Sequence, residues 1–147
     1  MGSYLLFSIS SRIYAIPLER VEEVVKVDRY TEIPGMPIFV RGFFNLRGNI
    51  YTMIELDELI VKENIDADFN HIIVLKTPNQ EVDKVAIVAE TIRNVVDLEP
   101  ENFKNVPEAE DEAFKKFIEF MYVDSKESFN VLNVENILDL KEGLDDK

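Results

Sequence analysis

Short runs of apolar, β-branched and aromatic residues, broken by turn formers, recur along the chain and predict strands rather than long helices. Tyr4–Ser10 and Arg12–Ile16 are two such runs joined at Ser10-Ser11, which predicts a hairpin that Pro17 ends. From Pro17 to Val24 the apolar positions Leu18, Val21 and Val24 are spaced by three, which predicts one or two helical turns. Ile33-Pro34-Gly35-Met36-Pro37 is a rigid loop by composition. Two strands, Phe39–Leu46 and Asn49–Ile54, are expected to turn at Arg47-Gly48-Asn49, with Gly48 or Asn49 at positive φ, before a short helix Glu55–Ile60. Polar Lys62–Asp68 marks a boundary. A further hairpin runs from His71–Lys76 through Thr77-Pro78-Asn79-Gln80 to Lys84–Ala89. Pro107 and the acids Glu108, Glu110, Asp111 and Glu112 open a helix with apolar positions Phe114, Phe117 and Ile118. Strands at about Phe120–Val123 and Phe129–Leu132 and a final helix to Gly143 complete the pattern.

The two halves repeat one another. Tyr14-Ala15-Ile16, Val21 and Val24-Val25 recur as Val85-Ala86-Ile87, Ile92 and Val95-Val96, with Ala15 and Ala86 lying 71 residues apart. Phe39-Val40, Met53-Ile54, Leu56 and Leu59-Ile60 recur as Phe117-Ile118, Val131-Leu132, Val134 and Ile137-Leu138, with an offset of 78 from Phe39 to Phe117. Two β-rich lobes follow, each of about five short strands, a size at which sheets close into SH3-like barrels and hide their edges. The first lobe is expected at about 12–66, and the second at about 67–135 with the Tyr4–Ser10 strand and the C-terminal helix. In the second lobe Gly42 becomes Phe120, Asn45 becomes Val123, Arg47 becomes Ser125, Gly48 becomes Lys126 and Glu23 becomes Asn94. The polar Asn-Leu-Arg-Gly turn is thus expected only in the first lobe.

Composition narrows the function classes. The 147 residues carry 16 basic and 29 acidic side chains, a net charge of −13, so nucleic acid and anionic membranes meet long-range repulsion. No run approaches the ~20 apolar residues of a membrane span, and the N-terminus lacks a secretory pattern, so a cytoplasmic protein without direct membrane insertion is expected. The absence of Cys removes thiolate ligands and nucleophiles. His71, the single histidine, opens an apolar strand and is read as an edge residue. Asn64, Asp66, Asp68 and Asn70 alternate like a calcium loop, but His71 stands where Gly is required and the closing Glu is missing. Paired acids such as Glu22-Glu23 and Asp57-Glu58 are read as solvated faces. No catalytic residue, cofactor or metal is therefore expected. The competing class is an enzyme using carboxylates and a metal, which stoichiometric divalent-ion binding would favour.

Phe39-Val40-Arg41-Gly42-Phe43-Phe44-Asn45-Leu46-Arg47-Gly48-Asn49-Ile50, followed by Met53-Ile54-Glu55-Leu56, resembles the V-x-G-x-x-N-L-R-G signature of the CheW-like domain family. Ala15–Val24 and Val85–Val96 support the resemblance, which covers residues 4 to 140 and makes 1–147 one CheW-like domain. It implies a mainly β fold of two interleaved SH3-like five-stranded β-barrels with short helices. It also implies a non-enzymatic adaptor that couples the cytoplasmic tips of methyl-accepting chemoreceptors to the regulatory domain of the histidine kinase CheA. Barrel ends would pair with the kinase domain, and a groove between lobes would receive the receptor tip. A scaffold of a pilus-motility or developmental pathway would carry the same pattern. Thr52 stands where the family often has Pro, and Phe120 replaces a common Gly. The chain, starting at its first strand, resembles the stand-alone adaptor more than a kinase or a receiver-bearing relative.

The resemblance matches Glu23 and Arg47 to a charged pair important for coupling, and places Asn45, Gly48 and Gly42 in the same partner-binding set. Each has a plainer reading. Gly48 suits a tight turn and Asn45 bonds turn backbone. Arg47 is required by neither, and an exposed ion pair contributes only ~0–1 kcal/mol, so stability alone explains it poorly.

Overall fold

The computed structural model describes residues 2–62, 69–77 and 84–145. The Lys62–Asp68 boundary, the Thr77–Gln80 turn and the Asn64–Asn70 alternation lie wholly or partly outside them. The fold is mainly β, in two sheets. One is ordered β8-β1-β2-β11-β10-β9, from β1 (Ser3–Ile9), β2 (Arg12–Pro17), β8 (Thr91–Asp97), β9 (Phe103–Lys104), β10 (Ile118–Val123) and β11 (Ser128–Leu132). The other is ordered β3-β6-β7-β5-β4, from β3 (Val21–Lys26), β4 (Val40–Leu46), β5 (Asn49–Ile54), β6 (His71–Leu75) and β7 (Val85–Ala89). Two helices, α1 (Glu112–Phe117) and α2 (Val134–Asp145), and a π-helical turn Asp57–Val61 fill the joins.

Neither sheet is a half of the sequence. β2 leaves through a 3-10 turn, Leu18–Arg20, and the chain passes into the other sheet as β3; β7 likewise passes into the first sheet as β8 after the single residue Glu90. β6 and β7 therefore join β3, β4 and β5, while β2 joins the strands near the C-terminus, which is an interleaving of strands rather than a division near residue 66. The repeat survives in the pairing itself. β2 lies parallel to β11 with Ala15 opposite Val131, and β7 lies parallel to β5 with Ala86 opposite Met53. A bulge between Val40 and Gly42 recurs between Ile118 and Phe120, at the same 78-residue offset.

Three apolar clusters hold the sheets. One lies between them and takes Leu5, Phe7, Tyr14 and Ile16 from one sheet, Ile54, Ile73, Val85 and Ile87 from the other, and Ile137 and Leu138 of α2. The other two fill the barrels: Leu6, Ala15, Tyr122, Phe129 and Val131 in one, Phe44, Met53, Ile72, Val74, Ala86 and Val88 in the other. The shared cluster also contains a polar link. Tyr14, fully buried, donates its hydroxyl hydrogen to Asp57 Oδ1 at 2.7 Å, and Arg12 Nη1 lies 3.5 Å from Asp57 Oδ2. Burial, then the charge of Asp57, pushes the Tyr14 hydroxyl far above its usual range, so it remains a protonated donor.

Of the one or two helical turns expected at Pro17–Val24, one forms, the 3-10 turn Leu18–Arg20; from Val21 the chain is β3, because Leu18 and Val24 are solvent-exposed and their spacing marks no buried helical face. α1 ends at Phe117, and Ile118, expected on it, begins β10. The helix expected after β5 is the π-helical turn, closed by Lys62 N–H donating to Asp57 O at 2.9 Å.

Half-buried Phe120 stacks on Phe103 with ring centroids 5.3 Å apart and packs on the cluster that contains Leu6, Ala15, Tyr122 and Phe129. Phe120→Gly is expected to lower stability by about 2–3 kcal/mol in denaturant titration, below the full range for a buried Phe because the ring is only partly enclosed. Tyr14→Phe leaves Asp57 without its hydroxyl donor and is expected to cost ~1–3 kcal/mol while leaving the far-ultraviolet dichroism intact.

Candidate functional site

The sequence-predicted site residues converge on the β4–β5 hairpin and its neighbour β3. Leu46 pairs with Asn49, leaving Arg47 and Gly48 as a two-residue connection. Both have positive φ, 52° and 86°, as a tight primed hairpin turn requires. Arg47, rather than Asn49, shares the left-handed region with Gly48. Asn45 Oδ1 accepts the Gly48 backbone N–H at 3.0 Å and pins the turn from below. Held there, Arg47 reaches off the hairpin and its Nη2 donates to Glu23 Oε1 on β3.

β3 and β4 are the two edges of their sheet, so this ion pair spans the seam where the barrel closes. Thr31 and Phe43 exchange two backbone hydrogen bonds of 2.8 Å across the same seam. Between these two closures lies a groove of about 740 Å³ lined by Val25–Thr31 and Phe43–Leu46. Arg47 is 68% exposed and Glu23 29%, so the cation faces solvent beyond its partner. Gly42 is different: it is buried, and a Cβ there would stand 2.6 Å from Thr31 O and 2.8 Å from Tyr30 Cδ2. Its place in the signature is explained by the close approach of the Tyr30–Thr31 segment.

A polar layer lies beneath. Arg41 donates to Tyr30 Oη at 3.2 Å and to Glu55 Oε1 at 3.0 Å, and its guanidinium sits 5.0 Å from the Phe69 ring centroid. Burial holds the Glu55 carboxyl above its ordinary range, against the pull of Arg41 and with the help of nearby Glu58 and Asp57.

The second hairpin tip carries charge too, which the position-by-position comparison of the halves missed. Arg93 on β8 lies 3.1 Å from Glu127 at the β10–β11 turn, so base and acid are exchanged relative to Glu23 and Arg47. Asp124 Oδ1 accepts the backbone N–H groups of Lys126 and Glu127 at 2.8 and 2.9 Å, in the role Asn45 has at the first tip. The partners sit one or two positions away from the strict repeat offsets: Arg93 one residue before Asn94 on β8, and Glu127 two residues past Ser125 in a connection that is longer than the first, since Val123 pairs with Ser128 where Leu46 pairs with Asn49. Among the described residues no group of His, Asp and Glu is arranged to hold a metal, and no helix is long and apolar enough to cross a membrane.

The family model of the CheW-like domain matches residues 3–142. The chain belongs to the CheW-like domain family and, like the chemotaxis CheW proteins it matches, is a non-enzymatic scaffold protein. It is 24% identical over 139 residues to the chemotaxis protein CheW of Klebsiella aerogenes, covering 95% of this chain and 82% of that one. A shorter match, 34% identical over 50 residues, is to the protein PilI of Pseudomonas aeruginosa, covering 34% of this chain and 28% of that one. The crystal structure of the scaffolding protein TtCheW from Thermoanaerobacter tengcongensis superposes with a TM-score of 0.77 at 22% identity, covering 90% of this chain and 84% of that one, which shows the shared fold.

Gly42→Ala is expected to destabilise the chain by roughly 1–3 kcal/mol, because backbone rather than a flexible side-chain end occupies the space of the new methyl. Chemical denaturation checks it; Asn45→Ala, which removes one exposed turn bond, is expected to cost no more than ~1 kcal/mol in the same assay.

Proposed function

We propose that this scaffold couples the cytoplasmic tips of methyl-accepting chemoreceptors to the regulatory domain of the histidine kinase CheA. The observation that carries the proposal is the Glu23–Arg47 pair at the β4–β5 tip, with the cation presented to solvent. A partly exposed ion pair adds little to folding, whereas a charge fixed by two positive-φ residues and an Asn-pinned turn is preorganised for binding. Asn45 and Gly48 serve the site by shaping the turn, and Gly42 by letting the Tyr30–Thr31 segment close on it. The protein then acts in the cytoplasm and reaches membrane receptor arrays through its partners, without cofactor, nucleic acid or membrane insertion of its own. The match to PilI supports a second reading, a scaffold of a pathway other than chemotaxis using the same tip.

Arg47→Glu is expected to weaken binding by about tenfold or more while changing stability by less than ~0.5 kcal/mol, as surface substitutions usually do. Combined with Glu23→Arg it should recover part of the loss, and the recovery should shrink with added salt. Titration against the kinase regulatory domain and against a receptor-tip fragment separately reads both, with the receptor side expected to suffer more. Undiminished binding by both single variants removes the pair from the site. Undetectable binding of the unaltered chain to either fragment overturns the chemotaxis reading.

A further inference from the structure

The seam between β3 and β4 leaves an unpaired stretch of sheet edge. Thr31 and Phe43 exchange both of their backbone hydrogen bonds across it, so the N–H and C=O of Phe43 point into the seam. Backbone groups two residues apart along a strand point the same way, so those of Asn45 do as well, while Phe44 and Leu46 bond β5 through Tyr51 and Asn49. No described residue supplies a backbone partner to the Asn45 main chain; its side chain alone is engaged, by Gly48. In the second barrel the pairing runs one residue further, since β9 stands against both Met121 and Tyr122, which match Phe43 and Phe44 at the 78-residue offset.

The groove of about 740 Å³ described above lies over this edge, and its volume is within the range of pre-formed binding sites. Its lining divides by chemistry. Val25, Val27, Tyr30 and Leu46 are half-buried and pack on the barrel cluster of Phe44, Met53, Ile72 and Val74. Lys26 and Arg29 are exposed, and in a chain of net charge −13 neither is paired with an acid among the described residues. Asp28 is the one acid in the lining, and Arg47 closes the far end through Glu23.

We propose that this seam takes up an extended acidic segment of a protein partner as an added strand. An acid of the segment would exchange two backbone hydrogen bonds with Asn45, as Thr31 does with Phe43, and its side chain would share the outer face with Lys26 and Arg29. The apolar residues on either side of that acid would then turn inward onto Val25, Val27 and Leu46, because side chains alternate along a strand. Form and charge come from separate observations. Unpaired main-chain groups on a strand edge call for another extended chain, whereas a helix has spent its own on internal bonds. Two cations without acids set the sign of the segment.

The Asn45 amide of the whole chain reads the proposal out. In the free protein it is expected to exchange rapidly with solvent. Three synthetic peptides serve as probes: one alternating glutamate with valine, the same peptide methylated at its glutamate nitrogens, and one alternating lysine with valine. The glutamate peptide is expected to bind, to protect the Asn45 amide and to shift resonances at Val25, Val27 and Leu46. Methylation removes the donor that Asn45 C=O would accept and should weaken binding by about tenfold or more. Lys26→Glu with Arg29→Glu, both at exposed sites, should leave the melting temperature unchanged and shift preference to the lysine peptide. An Asn45 amide already protected in the free chain overturns the proposal. So do absence of binding, equal binding of the glutamate and lysine peptides, indifference to methylation, and resonance changes that spare the seam. Concentration-dependent self-association lost in the Lys26→Glu, Arg29→Glu variant would assign the seam to a second copy and likewise overturn it. None of these variants alters Glu23 or Arg47, and no receptor or kinase fragment is used, so failure here is distinguishable from failure of the adaptor reading.

Discussion

Burial of four strands on both faces is the constraint from which the rest of the structure follows. Along β1, Leu5 and Phe7 enter the cluster between the sheets while Leu6 enters its own barrel; along β6, Ile73 and Leu75 face the shared cluster while Ile72 and Val74 face the barrel. β2 and β7 divide in the same way, with Ala15 and Ala86 turned into the barrels. Strands with no wet face must read as continuous apolar runs, and Val85–Ala89 is buried at every position. The small residue in the middle of β2 and β7 follows from the opposing contact: each alanine lies opposite a larger residue, Val131 or Met53, within a narrow barrel.

The periphery is released from that constraint, and there the two barrels diverge. β3 and β8 are sheet edges with alternating or mostly exposed residues, and the hairpin tips project beyond the barrel interiors. Nothing in the packing requires the tips to carry the same charge, and they carry opposite ones: a projecting base at Arg47 with its acid on the strand, a projecting acid at Glu127 with its base on the strand. A protein with two barrels of one pattern and two tips of opposite polarity presents distinguishable ends to its partners, which is what a scaffold needs to hold two different surfaces in a fixed order.

What was legible in the sequence tracks these two regimes. The repeat was visible because both copies of a doubly buried strand must be apolar at the same spacing, and the β4–β5 turn was visible because Asn45 and Gly48 have turn chemistry of their own. The exchange of strands between sheets is implied by the family resemblance and not by the pattern itself, since Pro17–Arg20 and Glu90 are too short to announce a change of sheet and an offset is the same whether or not copies interleave. The start of β3 is obscured because Leu18, Val21 and Val24 mimic a helical period although Leu18 and Val24 are exposed and only Leu18–Arg20 is helical. The Arg93–Glu127 pair is hidden because Glu127 lies in a longer turn, two residues off the repeat offset, and Arg93 lies one residue off it on β8. The acids Asp57 and Glu58, expected on a solvated face, are both buried.

That last misreading has a physical source in the backbone. A π-helical turn spans one residue more than an α-helical one between bonded groups, and here it runs from Asp57 O to the N–H of Lys62, which itself takes a left-handed φ of 63°. The widened turn brings consecutive residues Asp57, Glu58, Leu59 and Ile60 all into buried positions, which no regular helical face allows. Two of those four are acids, and they meet different fates. Asp57 turns toward Tyr14 and Arg12 and ties one sheet to the other. Glu58 lines open grooves on the other side of the turn and has no such tie. One irregular turn thus supplies the polar bond that ties the sheets together and sets the next acid on the wall of open grooves.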